Sequence, residues 1–130
     1  MPPQAKKHRI LIVEDEISLR HALRDAFSRE GFLVLEAKDG EQGFATAMEH
    51  EPDIILLDIV MPKMDGMTMV MGIRTSGPWG KQVPIILLTN LGLDDHKTMK
   101  IIDSDTALRY LVKSNWKIHE VVSKVRQALP

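Results

Sequence analysis

Five polar side chains stand directly behind short apolar runs in this chain. Glu14 and Asp15 follow residues 10–13, Asp58 follows 54–57, Thr89 follows 85–88, and Lys113 follows 110–112. Brought to one edge, they set three carboxylates beside a hydroxyl and an ammonium. Carboxylates held that close repel one another, and the usual remedy near neutral pH is a hard cation bound through oxygen. Magnesium suits such a set. It takes few protein ligands and keeps several waters, which leaves positions open for a phosphate oxygen, whereas calcium asks for a fuller oxygen cage. No histidine stands at these run ends, which argues against zinc. The chain has no cysteine, so neither a disulfide framework nor thiolate chemistry is available to it.

The elements that must carry these residues are read from periodicity. Residues 10–13, 33–35, 54–57, 85–88 and 110–112 are too short for helices and read as strands. The first, third and fourth are apolar throughout, as strands covered on both faces are. Leu19, Ala22, Leu23, Ala26 and Phe27 mark one face of a first helix that ends before Gly31. Asp39 is placed to cap a second helix, with Gln42 reaching back, that runs to about His50 and is broken by Pro52. A third covers roughly 68–75 and stops at the Ser76-Gly77-Pro78 turn. The fourth, about 95–103, has only Met99, Ile101 and Ile102 as strong apolar residues, so its buried face is thin. Asn115 is a natural cap for the last helix, where Ile118, Val121, Val122, Val125 and Leu129 form a regular stripe.

Strands alternating with helices predict repeated βαβ units, and so an α/β fold with a parallel sheet. Five strands joined by right-handed crossovers favour the doubly wound, flavodoxin-like order 2-1-3-4-5 with five helices. In that order the first and third strands lie side by side at the topological switch point. Ligands bind there, outside the carboxyl ends of the strands, and the five polar residues converge on that edge.

At 130 residues, 44% of them hydrophobic, the chain is sized for one core: a leader over 1–8 and a single domain over 9–130. Basic and acidic residues nearly cancel, 17 against 18, so no global field draws the protein to nucleic acid or to an anionic membrane. Lys6, Lys7, His8 and Arg9 read as a solvated approach to the first strand. No run has the length of a signal-peptide core or a membrane span, which with the absence of cysteine suits a cytoplasmic protein.

Four motifs stand in order along the chain: Ile10-Leu11-Ile12-Val13-Glu14-Asp15-Glu16, Leu56-Leu57-Asp58-Ile59-Val60-Met61-Pro62-Lys63-Met64-Asp65-Gly66, Pro84-Ile85-Ile86-Leu87-Leu88-Thr89, and Tyr110-Leu111-Val112-Lys113. Together they resemble a response-regulator receiver domain of two-component signalling, of the chemotaxis-regulator kind, from about Arg9 to Leu129. The resemblance implies that Asp58 is the phosphoacceptor. It takes a phosphoryl group from a sensor histidine kinase or phosphotransfer protein, or from a small acyl phosphate, and becomes an aspartyl phosphate. It implies magnesium held by Asp15, Asp58 and the backbone carbonyl of Val60, with Glu14 acting mostly through a bound water. Lys113, the Thr89 hydroxyl and the backbone amide of Asn90 would meet phosphoryl oxygens. Thr89 moving towards the phosphate would vacate space for Tyr110, and this switch would repack the face built from the fourth helix, fifth strand and fifth helix. An ordinary strand-end aromatic is the other reading of Tyr110. That face would control an output protein, with the chain a monomer or a phosphorylation-dependent dimer. Self-phosphorylation and self-dephosphorylation would be its only chemistry, with no turnover of a free substrate.

The sequence departs from the family pattern in places. Asn90 stands where a small residue is usual, and Val60 and Leu91, which should flank the phosphoryl group, offer no side chain to orient an attacking water. The expectation is slow self-dephosphorylation. Ser114 replaces the proline that tends to follow the lysine, and a non-proline cis bond costs about 3 kcal/mol, so a trans bond with altered loop geometry is expected.

Other features read more plainly. Trp79, in a turn-rich stretch, is expected to close over that loop's own apolar base, with a partner contact as the lesser alternative, and Trp116 is treated in the same way. Met61, Met64, Met67, Met69 and Met71 suggest a soft-metal site but are better read as packing and docking residues. His8, His21, His50, His96 and His119 show no ligand spacing. A haloacid-dehalogenase-like phosphatase would place a second aspartate where Val60 stands, and a degenerate receiver would have lost acids that are all present here. No DNA-binding helix-turn-helix follows the last stripe, so the output stays open between a stand-alone regulator and the front of a longer protein.

Overall fold

The apolar runs become the central sheet of a computed structural model that describes residues 7–59, 64–89, 96–112 and 117–130. The strands are β1 (Arg9–Val13), β2 (Leu33–Ala37), β3 (Ile54–Asp58), β4 (Ile85–Thr89) and β5 (Leu108–Val112). They are parallel and ordered β2-β1-β3-β4-β5, the order expected from the alternation of elements. Ile10 to Val13, Ile54 to Leu57 and Ile85 to Leu88 are all essentially sealed from solvent, which is why these runs carry no polar alternation. Side chains alternate between two cores. Leu11, Val13, Ile55, Leu57, Ile85 and Leu87 form one with residues of α2 (Gly40–His50), α3 (Gly66–Arg74) and α5 (His96–Ser104). Ile10, Ile12, Ile54, Leu56, Ile86 and Leu88 form the other with α1 (Ile17–Arg29) and α6 (Ile118–Ala128).

Six helices flank the sheet among the described residues, not five. The additional one is α4 (Pro78–Gln82), in the stretch the sequence presents as a turn-rich loop. Pro78 occupies the start of this helix, where a missing N–H costs nothing and the fixed φ is already helical. Gly77 before it has φ 145°, a conformation that L side chains rarely adopt, and turns the chain into the helix. The Trp79 indole Nε1 donates to the Pro52 carbonyl at 3.0 Å while its ring packs on the core, so Trp79 turns inward, with its hydrogen bond on the connection between α2 and β3 rather than within its own stretch. The helices predicted as fourth and fifth are therefore α5 and α6.

The other element ends shift by small steps. Strand β5 begins at Leu108, so Tyr110 lies in its middle. Asp39 caps α2 as predicted, accepting from Gln42 N at 2.7 Å, whereas Gln42 Oε1 reaches one residue further back than a capping box requires, to Lys38 N at 2.8 Å. For α6 the predicted cap Asn115 lies outside the described residues, and Glu120 Oε1 accepts from Lys117 N at 3.3 Å. Of the apolar residues expected on the fourth predicted helix, now α5, Ile102 is buried and Ile101 partly so, while the Met99 side chain lies outside what is described.

Candidate functional site

Val13 on β1 pairs with Leu57 on β3, so Glu14 and Asp58, the next residues, leave adjacent parallel strands at the same edge. Glu14 is fully buried and Asp58 only 6% exposed, while Asp15 lies in solvent. One carboxylate oxygen from each of Glu14, Asp15 and Asp58 lies within 4.8 Å of the other two. Among the described residues no other group of three carboxylate or imidazole side chains comes as close, and this one contains no histidine. Three carboxylates, two of them withdrawn from water, are a donor set that fits a hard cation with few protein ligands.

The backbone around the acids is tied down locally. Glu14 N donates to the Ala37 carbonyl of β2 at 3.0 Å, and Glu14 Oε2 accepts from Glu16 N at 3.1 Å. On the β3 side, Ile59 N donates to the Leu88 carbonyl at 3.1 Å and Gly66 N to the Ile59 carbonyl at 2.8 Å. The start of α3 presses so closely on the end of β3 that a Cβ at Gly66 would lie 2.7 Å from the Asp58 carbonyl oxygen. Only glycine allows that approach. Asp65 Oδ1 then caps α3 by accepting from Thr68 N at 2.9 Å.

Leu88 pairs with Asp58 and Thr89 with Val112, so the Thr89 backbone sits one residue beyond the Asp58 level on the neighbouring strand. The Thr89 side chain, Val60, Asn90, Leu91, Lys113, Ser114 and Trp116 lie outside what is described. Tyr110 is 40% exposed on β5, at the edge of the sheet. Two groups gave no sequence signal. Arg20 donates through Nη1 to the Glu14 carbonyl at 2.9 Å, although its position one turn into α1 looks like an ordinary solvated site. Arg74 at the end of α3 is gripped by Asp105, thirty-one residues away in sequence.

The sheet order and its acidic edge define a doubly wound α/β domain whose carboxylate cluster fits magnesium binding. The model of the response regulator receiver domain matches residues 10–126, and the chain belongs to that family, the receiver domains of two-component signalling. It is 34% identical over 122 residues to the probable transcriptional regulatory protein SilR of Salmonella typhimurium, covering 93% of this chain and 50% of that one. It is 36% identical over 120 residues to the transcriptional regulatory protein SrrA of Staphylococcus aureus, covering 92% of this chain and 47% of that one. The chain thus spans about half the length of these curated relatives.

Among solved structures, the chemotaxis response regulator CheY4 of Vibrio cholerae superposes with a TM-score of 0.83 at 26% identity, covering 95% of this chain and all of that one. The receiver domain of the sensor histidine kinase PA1611 of Pseudomonas aeruginosa, with a magnesium ion coordinated in its active-site cleft, gives 0.78 at 26% identity, covering 94% and 97%. Receiver domains are signalling domains that work with histidine kinases or phosphotransfer proteins and with output domains, and they do not turn over free substrate. Among the described residues no helix is long and apolar enough to cross a membrane.

Proposed function

We propose that Asp58 accepts a phosphoryl group from a histidine kinase or phosphotransfer protein with magnesium as cofactor. The observation that carries this reading is the meeting of Glu14, Asp15 and Asp58 oxygens within 4.8 Å at the switch point, with Asp58 itself buried. An Asp58 carboxylate oxygen attacks phosphorus. As the new P–O bond forms, the P–N bond to the donor histidine breaks and its electron pair leaves with the imidazole nitrogen. Asp15, Asp58 and the Val60 carbonyl would hold the ion directly, and Glu14 mostly through water. Bound magnesium supplies charge that offsets the negative oxygens of the transferring group. Lys113, the Thr89 hydroxyl and the Asn90 amide then receive the remaining oxygens, and Thr89 with Tyr110 relays the change to the face of α5, β5 and α6. Tyr110 is 40% exposed, the outward position from which a move inward would start.

Incubation with phosphoramidate or acetyl phosphate, followed by intact-mass measurement, tests the reading. The expected result is a magnesium-dependent gain of one phosphoryl group per chain. No gain at any magnesium concentration rejects it, and continuous turnover of a free phosphate ester would point instead to an enzyme.

Val60 and Leu91 carry only hydrocarbon where an attacking water would need orientation, so the aspartyl phosphate should be long-lived. The double substitution Val60→Asn with Leu91→Ala should shorten its half-life severalfold. An unchanged decay after donor removal would refute the assignment of these two positions.

A further inference from the structure

The Asp15 carboxylate is exposed and, among the described residues, makes no hydrogen bond or ion pair. No side-chain partner steers it, so what the fold fixes is the direction of its Cα–Cβ bond, set by the backbone. The peptide on its amino side carries the Glu14 carbonyl, and the Arg20 guanidinium donates to that oxygen from Nη1 at 2.9 Å. On its carboxyl side Glu16 opens α1, with the Glu16 carbonyl accepting from Arg20 N at 2.9 Å. The guanidinium is anchored at its other end, where Nε donates to Glu36 Oε1 at 3.2 Å, and only 14% of the side chain is exposed. Glu36 lies on β2 opposite Ile12, so the brace runs from the sheet through α1 to the acid-bearing turn.

We infer that Arg20 is a positioning residue for the magnesium-binding acids: anchored on Glu36, it fixes the Glu14–Asp15 peptide and so the direction in which Asp15 meets the ion. This rests on the magnesium reading given above. Its sign separates it from simple electrostatics. A cation beside three carboxylates opposes binding of a second cation, so charge alone would make loss of Arg20 tighten magnesium binding. A brace that orients a ligand does the opposite, and outer groups that orient metal ligands are worth roughly ten- to a hundredfold in affinity.

The test follows backbone amide resonances of the full chain during a magnesium titration, without any phosphoryl donor. Arg20→Gln should raise the magnesium midpoint about tenfold. Arg20→Lys, which can reach only one of the two oxygens, should lie between that variant and the unsubstituted protein. Glu36→Gln should also raise the midpoint, but loss of its negative charge acts in the same direction, so Arg20→Lys, which keeps the charge while weakening the brace, decides the matter if Arg20→Gln does not fold. With phosphoramidate, the loss should appear in the magnesium concentration at half-maximal rate more than in the rate at saturating magnesium. A midpoint unchanged or lowered in Arg20→Gln, or unchanged or lowered in Arg20→Lys where it must stand in, overturns the inference and leaves the proposed function intact. Failure of the unsubstituted protein to bind magnesium overturns both.

Discussion

Asp58→Asn should abolish labelling by phosphoramidate and, in the same preparation, raise the unfolding temperature of the metal-free protein. The first effect follows from chemistry. The amide that replaces the carboxylate is a poor nucleophile, and no other described acid combines this burial with a place at the end of β3. The second follows from the crowding of Glu14, Asp15 and Asp58. Two unit charges about 5 Å apart repel by about 3 kcal/mol at an effective dielectric near 20, and the exposure of Asp15 reduces its share of this. Asparagine keeps the shape and one acceptor oxygen while removing a charge, and since the other contacts of Asp58 offset part of the relief, a gain of at most about 1 kcal/mol is expected.

Magnesium should reverse the order of stability. A ligand at ten times its dissociation constant stabilises the folded state by about 1.4 kcal/mol, and the unsubstituted protein gains this while Asp58→Asn, short of one ligand, gains less. Thermal melts with chelator and with magnesium give the four numbers needed. A metal-free melting temperature that falls in Asp58→Asn would show that Asp58 is held mainly by favourable partners rather than strained by its neighbours. Labelling that persists would move the acceptor elsewhere.

The acids were legible because burial leaves a strong sequence signature. A strand covered on both faces must be apolar throughout, so the first charge after Val13 or Leu57 marks the point where the strand leaves the core. Strand order then followed from topology. Helix α4 was hidden because five residues are too few to show a period, and its Ser76-Gly77-Pro78 entry has the composition of a turn. Strand β5 was drawn short because the exposed Arg109 separates Leu108 from the run that starts at Tyr110, on a strand that lies at the sheet edge. Arg20 and Arg74 had no signature at all. An arginine turned inward to backbone carbonyls has the same spacing as one in water, and only the tertiary path brings Glu36 and Asp105 to them.

Arg74→Met should be among the most destabilising single changes away from the acidic edge, by about 3 kcal/mol. The Arg74 and Asp105 side chains are only 13% and 18% exposed, so solvent does little to weaken their pairing. The guanidinium donates through Nε to Asp105 Oδ2 at 2.7 Å and through Nη2 to Asp105 Oδ1 at 3.4 Å, and through Nη1 to the Gly80 and Val83 carbonyls at 2.9 and 2.7 Å. One side chain thus ties the end of α3 to α4, to the approach to β4 and to the turn between α5 and β5. Asp105 in turn accepts from Ala107 N at 3.0 Å, shaping the entry to β5. Methionine fills similar volume but strands a mostly buried carboxylate and two carbonyls, and the desolvation left uncompensated is the larger part of the loss. Arg74→Met with Asp105→Asn should therefore be less destabilised than the sum of the two single changes, with a coupling above about 1 kcal/mol. Urea melts of the four proteins measure it. A loss under about 1 kcal/mol in Arg74→Met would mean that the carbonyls find water and that the clamp contributes little.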